Sequence, residues 1–244
     1  MTVKKPKDKI IILSLGGSII VPDDVDTAFL KRFRDYINQR TKQGYRFVIM
    51  CGGGKTCRNY ISAAKKLISH NKTQKDAMDW IGIKSTLLNA ELVKTIFGKS
   101  AFDDVIHTPS SRIKKIRQNV VVAGGWKPGF SSDYDAVLYA KLFGSDTVIN
   151  LTNVDYVYTK DPEKFKDAAP IKKMSWQDYL RMIGTEFKAG GNYPFDPLAS
   201  KLALRHKITV YTVNGRSLAQ LDKILEDKNK SGKSIKGTML YPHD

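Results

Sequence analysis

The feature that most limits the fold is a repeated junction, in which a short β-branched run ends in glycines and leads into a helical pattern. Ile10-Ile-Ile-Leu-Ser-Leu15 runs into Gly16-Gly-Ser18, Arg46-Phe-Val-Ile-Met-Cys51 into Gly52-Gly-Gly-Lys55, and Asn119-Val-Val-Val-Ala123 into Gly124-Gly-Trp-Lys-Pro-Gly-Phe-Ser-Ser132. Thr147-Val-Ile-Asn-Leu151 and Ile208-Thr-Val-Tyr-Thr-Val213 are two further runs of the same kind. Continuous apolar runs bounded by Gly, Asn or Asp read as strands buried on both faces. Their alternation with helices predicts a mainly parallel sheet covered on both sides, a three-layer α/β/α sandwich. In such a sheet the glycine loops gather at the carboxyl edge, where ligands bind.

Two helices are legible from spacing. After Gly54, residues Cys57, Tyr60, Ile61, Ala64, Leu67 and Ile68 recur three and four apart, which predicts a helix with that face, Cys57 included, against the core. A second, about 73–97, starts at Thr73 as N-cap, runs through Trp80, Ile83, Leu87, Leu88 and Val93, and stops at Gly98. Trp176, Tyr179, Leu180 and Ile183 share one helical face and read as packing. No repeat or long linker divides the chain, although composition shifts near residue 160. The expectation is a single domain, 1–244, with two lobes that share one sheet, at about 10–145 and about 146–244.

Composition enters through what it excludes. With 244 residues, 41% of them hydrophobic, the chain can bury a sizeable core, so general disorder is out. No apolar run approaches the ~20 residues of a membrane span, and the basic start lacks a signal-peptide core, which gives the expectation of a cytoplasmic protein. Two cysteines and four scattered histidines match no zinc spacing. The net charge is +17, and 11 of those charges sit in residues 1–9, 112–117 and 228–236. These segments read as terminal arms and a solvated loop; a nucleic-acid surface is the weaker alternative, as no RRM, zinc-finger or recognition-helix signature accompanies them.

Three glycine loops at one edge imply a multiply phosphorylated ligand, or two ligands, because glycine lets backbone N–H groups approach phosphate and helix N-termini attract anions. Familiar nucleotide motifs fail, however. A Walker A loop ending at Gly54-Lys55-Thr56 needs Gly where Ile49 stands, and one ending at Gly232-Lys-Ser234 needs Gly at Asp227. The dinucleotide fingerprint breaks at Cys57.

At Thr152-Asn-Val-Asp-Tyr-Val-Tyr-Thr-Lys-Asp-Pro162 the pattern becomes specific. Together with Gly17-Ser18, Gly52-Gly-Gly54 with Arg58, Asp79 before Trp80-Ile-Gly-Ile, Asn89-Ala90, the Gly125–Ser132 loop and Asp196-Pro-Leu-Ala-Ser-Lys201, it resembles the amino acid kinase family over about Ile10 to Tyr241. Within that family it is most similar to uridylate kinases of the archaeal type. The resemblance implies transfer of the ATP γ-phosphoryl group to UMP in pyrimidine nucleotide synthesis, on a homo-hexamer, with Mg²⁺ held mainly by nucleotide phosphates. It places Gly17, Ser18, Gly54 and Arg58 on ATP phosphates and Thr152, Asn153, Tyr158 and Asp161 around adenosine. Gly53, Asp79 and the stretch Trp126, Lys127, Pro128, Gly129, Phe130, Ser131 and Ser132 would hold UMP.

Physical reasoning is compatible with those roles. Phosphoryl transfer needs positioning and charge stabilisation, and a phosphate acceptor needs no general base. Asp79 suits ribose hydroxyls, or serves as a negative charge at a helix start. The family commonly has Lys where Ser14 stands, so the catalytic cation must come from elsewhere: Lys55, Arg58 and Lys127 are candidates, with Arg58 favoured for its planar fork. Asp196 would orient the active-site cations, or simply open a helix before Pro197. Tyr156 replaces a usual Gly, and Ser131-Ser-Asp133 a usual Thr-Thr-Asp. Two alternatives stay open: another phosphotransferase of the family, acting on an isoprenoid phosphate, a carbamate or an amino acid, and a basic regulator that binds nucleotide or nucleic acid without turnover.

Overall fold

The computed structural model describes residues 9–68, 73–184, 193–227 and 231–243. Its elements run β1 Lys9–Leu15, α1 Gly17–Ile20, α2 Thr27–Lys42, β2 Tyr45–Cys51, α3 Gly54–Leu67, α4 Thr73–Phe97, β3 Val120–Ala123, α5 Ser132–Phe143 and β4 Thr147–Thr152. There follow β5 Val157–Tyr158, β6 Pro170–Ile171, β7 Lys173–Ser175, α6 Trp176–Ile183, α7 Pro197–Arg205, β8 Thr209–Asn214, α8 Ala219–Glu226 and β9 Gly237–Tyr241.

Among the described residues seven strands form one sheet in the order β3-β2-β1-β4-β8-β9-β7, and β5 pairs with β6 apart from it. Every neighbouring pair in the large sheet is parallel except β8 with β9. Alternate residues feed two cores, as the two-residue period of a strand requires. Leu13, Leu15, Ile49 and Val122 meet Phe29 and Phe33 of α2, Ala90 and Val93 of α4 and Leu221 of α8. On the other face Ile12, Val48, Met50 and Val121 meet Ala136 and Tyr139 of α5, Trp176 and Tyr179 of α6 and Ala203 of α7. This is the expected three-layer sandwich. The two halves of the chain share it, joined at the β1–β4 ladder.

The five strands read from sequence are β1, β2, β3, β4 and β8. Missed were β5, β6 and β7, of two or three residues each, and β9, whose Gly237 start and lysine-rich approach carry no strand signal. Trp176 and Tyr179 are fully buried, in line with a packing face. The helix after Gly54 exists, but its apolar face does not enter the core. No residue of α3 is buried, Tyr60 is 66% and Leu67 83% exposed, and Cys57 is only partly covered. The reason is steric: α2 and α4 already cover this side of β2, and α3 lies on α1 and α4 instead. Of the basic segments, 1–8, Lys228 and Lys230 lie outside the described residues. Arg112, Lys114, Lys115 and Arg117 are exposed around the buried Ile113 and Ile116, as a solvated turn should be. Lys236 departs from that reading, since its Nζ pairs with Asp155 at 2.5 Å.

Candidate functional site

Parallel strands bring the ends of β1, β2, β3 and β4 to one edge, where the loops lock together. The amide of Gly16 donates to Leu151 O, that of Gly52 to Leu15 O (each 2.9 Å) and that of Lys55 to Val21 O at 2.9 Å. A Cβ on Gly17 would fall 1.9 Å from the Gly54 nitrogen and 2.7 Å from the Gly52 carbonyl carbon. Gly54 also sits at φ +64°, which L side chains rarely adopt. Backbone therefore packs on backbone here, with Ser18 on α1 beside it. From α4, the Asn89 side-chain amide donates to Gly52 O at 2.7 Å and Gly53 O at 3.1 Å. Of the candidate cations, Lys55 lies 3.5 Å from Asp23, while the exposed Arg58 donates one bond of 3.3 Å to Pro22 O.

The loop from β3 to α5 is tied at several amides. Gly125 N–H donates to Thr86 Oγ1 at 2.7 Å, Trp126 N–H to Asp135 at 3.0 Å and Gly129 N–H to Asp79 at 2.8 Å. Asp79 stands in the second turn of α4, so it is a loop anchor and not the helix-start charge its position suggested. Trp126 stacks on Phe130 at 5.8 Å between centroids, Phe130 on Tyr134 at 4.3 Å, and the Lys127 ammonium lies 4.1 Å from the Trp126 ring. Pro128 and Gly129 form the tip, and Ser131 caps α5 by accepting from Tyr134 N–H at 3.1 Å, with Ser132 as the first helical residue.

Beneath this loop lies a carboxylate cluster. Asp196 caps α7, its Oδ1 accepting from Leu198 N–H at 2.6 Å and Ala199 N–H at 3.1 Å, while Oδ2 accepts a hydrogen bond from the Ser131 hydroxyl. Its own N–H donates to Asp133 at 3.3 Å, and the Ser14 hydroxyl donates to the other Asp133 oxygen at 3.4 Å. Burial, then the negative charge of Asp196, pushes the Asp133 carboxyl up to about 7. Burial does the same to Asp135, up to about 7, against the lowering bond from Trp126, and it raises Asp196 too. The Tyr179 hydroxyl, donating to Phe195 O (2.8 Å) and accepting from Phe195 N–H (2.9 Å), fixes the residue before Asp196. Tyr179 is thus more than packing.

Thr152, Asn153, Tyr158 and Asp161 line one cleft of about 490 Å³, with Tyr156 and Tyr193 on its walls. Its floor is braced from below: Asp155 accepts from Asn214 Nδ2 at 2.9 Å and pairs with Lys236, and Val157 N–H donates to Thr238 Oγ1 at 2.8 Å. Tyr156 sets its ring edge-on to Tyr158, with centroids 6.4 Å apart. Asp161 accepts from Lys164 at 3.1 Å and from Glu163 N–H at 3.0 Å, which in that order hold its carboxyl below the usual range.

The model of the amino acid kinase family matches residues 9–214. The chain belongs to that family. Among curated relatives of this amino acid kinase, a uridylate kinase from Pyrococcus abyssi is 32% identical over 234 residues, 95% of this chain and 99% of that protein. One from Thermoplasma volcanium is 35% identical over 221 residues, 89% of this chain and 93% of that protein. The crystal structure of a uridylate kinase from Archaeoglobus fulgidus superimposes with a TM-score of 0.74 at 31% identity, covering 95% of this chain and 99% of that one. No described helix is long and apolar enough to cross a membrane.

Sequence reasoning named Asp133 only as the end of the Ser131-Ser-Asp133 stretch, without a role, and did not single out Asp135. Acidic residues in the first turn of a helix are ordinary partners of its dipole, so only tertiary burial marks these two. The one available signal was the position of Asp133 directly after two serines of the glycine loop.

Proposed function

We propose that this chain is a UMP kinase, transferring the γ-phosphoryl group of ATP to UMP to give UDP and ADP. One observation carries the reading: the cleft of Thr152, Asn153, Tyr158 and Asp161 opens at the same sheet edge as the Trp126–Ser132 loop, with the interlocked Gly17–Gly54 backbone and the Asp133–Asp196 pair among them. The likeness to archaeal uridylate kinases, in sequence and in fold, supports the choice of acceptor.

In this reading ATP lays adenosine in the cleft, with its phosphates over Gly17, Ser18 and Gly54, and UMP rests against Gly53, Asp79 and the loop from Trp126 to Ser132. An acceptor phosphate oxygen bonds to the γ-phosphorus as the bond from that phosphorus to the β-bridging oxygen breaks. Arg58 and Lys127, with Lys55 as the lesser candidate, supply positive charge in place of the lysine that Ser14 displaces. The oxygens of Asp133 and Asp196 are engaged by the Ser14 and Ser131 hydroxyls and by amides of α7 and its cap, so Mg²⁺ brought by ATP would be held mainly by the nucleotide phosphates. Mg²⁺ held there would neutralise phosphate charge.

The homo-hexamer belongs to the same reading. Its support is the apolar surface of α3 and α4, where Tyr60, Trp80 (46% exposed) and Leu88 (63% exposed) border a groove of about 390 Å³. A cytoplasmic setting follows from ATP as donor. The deciding experiment is a panel of nucleoside monophosphates assayed with Mg-ATP. UMP-selective formation of UDP is expected; turnover of another acceptor, or none, refutes the proposal.

A further inference from the structure

Asp135 is 1% exposed, and one carboxylate oxygen accepts the Trp126 amide at 3.0 Å, while the other has no hydrogen-bond partner among the described residues. One helical turn on, Tyr139 is fully buried and its hydroxyl is likewise unpartnered. Helix α5 therefore keeps two uncompensated polar groups under the acceptor loop. A buried carboxylate with an orphaned oxygen is costly, and an apolar side chain of similar volume would suit the fold better. Residues that violate packing rules in this way cluster at functional sites.

The placement says what the carboxylate does. Asp135 stands in the first turn of α5 and reaches back nine residues to the amide where the loop leaves β3, so the loop closes on its own helix. Thr86 holds the preceding amide and Asp79 holds Gly129, both from α4. Asp135 provides the tie from the α5 side, at the residue whose ring carries Lys127 and stacks on Phe130. Without it, Trp126 is free to swing, and the Lys127 ammonium and the Phe130 ring lose their support.

We infer that Asp135 is a positioning residue for the acceptor nucleotide, holding the Trp126 amide so that Trp126, Lys127 and Phe130 keep the shape into which UMP binds. This rests on the reading of that loop as the acceptor site. Asp135 acts through the loop and touches no substrate.

Kinetics and fluorescence of wild type, Asp135→Asn and Asp135→Val test it. Asn keeps an oxygen for the Trp126 amide; Val keeps the volume and loses the bond. For Asp135→Val the expected result is a rise of about ten-fold in KM for UMP, with kcat within about three-fold and KM for ATP unchanged, the scale of one lost hydrogen bond. Asp135→Asn should stay within about two-fold of wild type. Acrylamide quenching in a Trp80→Phe background reports on Trp126, because Trp176, the remaining tryptophan, is fully buried. Quenching should rise in the Val variant alone. Unchanged quenching and unchanged KM in Asp135→Val overturn the tether. Raised quenching with an unchanged KM for UMP leaves the tether in place and overturns the acceptor-loop reading, and the inference with it. An Asn variant as impaired as the Val variant overturns the role of the accepted hydrogen bond. Should Asp135→Val fail to fold, amide exchange in the wild type decides: Trp126 N–H must exchange far more slowly than Lys127 N–H, and equal rates overturn the proposal.

Discussion

Gly17 and Gly54, 37 positions apart, meet backbone to backbone: a Cβ on Gly17 would lie 1.9 Å from the Gly54 nitrogen. The two glycine loops are thus a single structure, and each glycine is required by the other loop before any ligand arrives. Gly17→Ala should destabilise the protein by about 3–5 kcal/mol, because the clash is with backbone that cannot rotate away. Gly129 offers the contrast, with φ +86° but nothing within 4 Å of its Cβ position. Gly129→Ala should cost only about 1–2 kcal/mol, the strain of a left-handed residue. Denaturant melts of both variants check this, and equal losses would refute it.

Arg58 and Lys55 stand in neighbouring positions of one glycine-loop helix, but they are not equally available. Lys55 is drawn toward Asp23 at 3.5 Å, whereas Arg58 has no carboxylate partner among the described residues and spends one donor on Pro22 O. Arg58→Ala should therefore lower kcat on the order of 10²–10³-fold, as loss of a transition-state cation does, and Arg58→Lys should not restore it, lacking the fork. Lys55→Ala should cost about ten-fold or less. Steady-state kinetics that reverse this order would move the catalytic charge to Lys55.

A third prediction concerns pH. The folded-state pKa of Asp135, about 7, stands above the ordinary carboxylate value, so the native chain binds this proton more tightly than the unfolded one does. Stability from this group is accordingly full below pH ~4, falls as pH rises toward 7, and is level above that. The loss at neutral pH is on the order of 2–4 kcal/mol. Asp133, raised to a similar value, adds in the same direction. Asp135→Asn removes its own share, so the variant should be more stable than wild type at pH 8 and differ little at pH 4. Urea melts at the two pH values measure it; a wild-type advantage that grows with pH would contradict the assignment.

How far the sequence could be read depends on where each signal is stored. The strands of the central sheet are continuous apolar runs, and their glycine ends place the site at one edge, so β1, β2, β3, β4 and β8 and the loops after them were legible. Helix α3 shows the limit, because Tyr60 and Leu67 have the spacing of a core face, and only the prior claim of α2 and α4 on the sheet leaves that face outside. The short strands β5 to β7 have too few residues to carry a period. Within the site, Thr152, Asn153, Tyr158 and Asp161 fall within ten positions of one another, and the cleft they line was readable as a motif. The Asp133–Asp196 contact spans 63 positions, and no local pattern encodes such a pairing.

Asp196 supplies the last prediction, since it holds two jobs that substitution can separate. As N-cap it gives Oδ1 to the amides of Leu198 and Ala199; as a member of the cluster it takes the Ser131 hydroxyl on Oδ2 and meets Asp133 through its own amide. Asp196→Asn keeps an oxygen for the cap and sheds a carboxylate charge that burial disfavours. Its stability should therefore stay within about 1 kcal/mol of wild type, or exceed it. Its kcat should fall by about 10²-fold or more, because the charge that organises the cations at the phosphates is gone. Asp196→Ala loses the cap as well, and should show the same kinetic defect with about 1–2 kcal/mol of destabilisation. If the Asn variant turns over at the wild-type rate while the Ala variant is merely less stable, Asp196 is a helix cap and the carboxylate pair is not part of the chemistry.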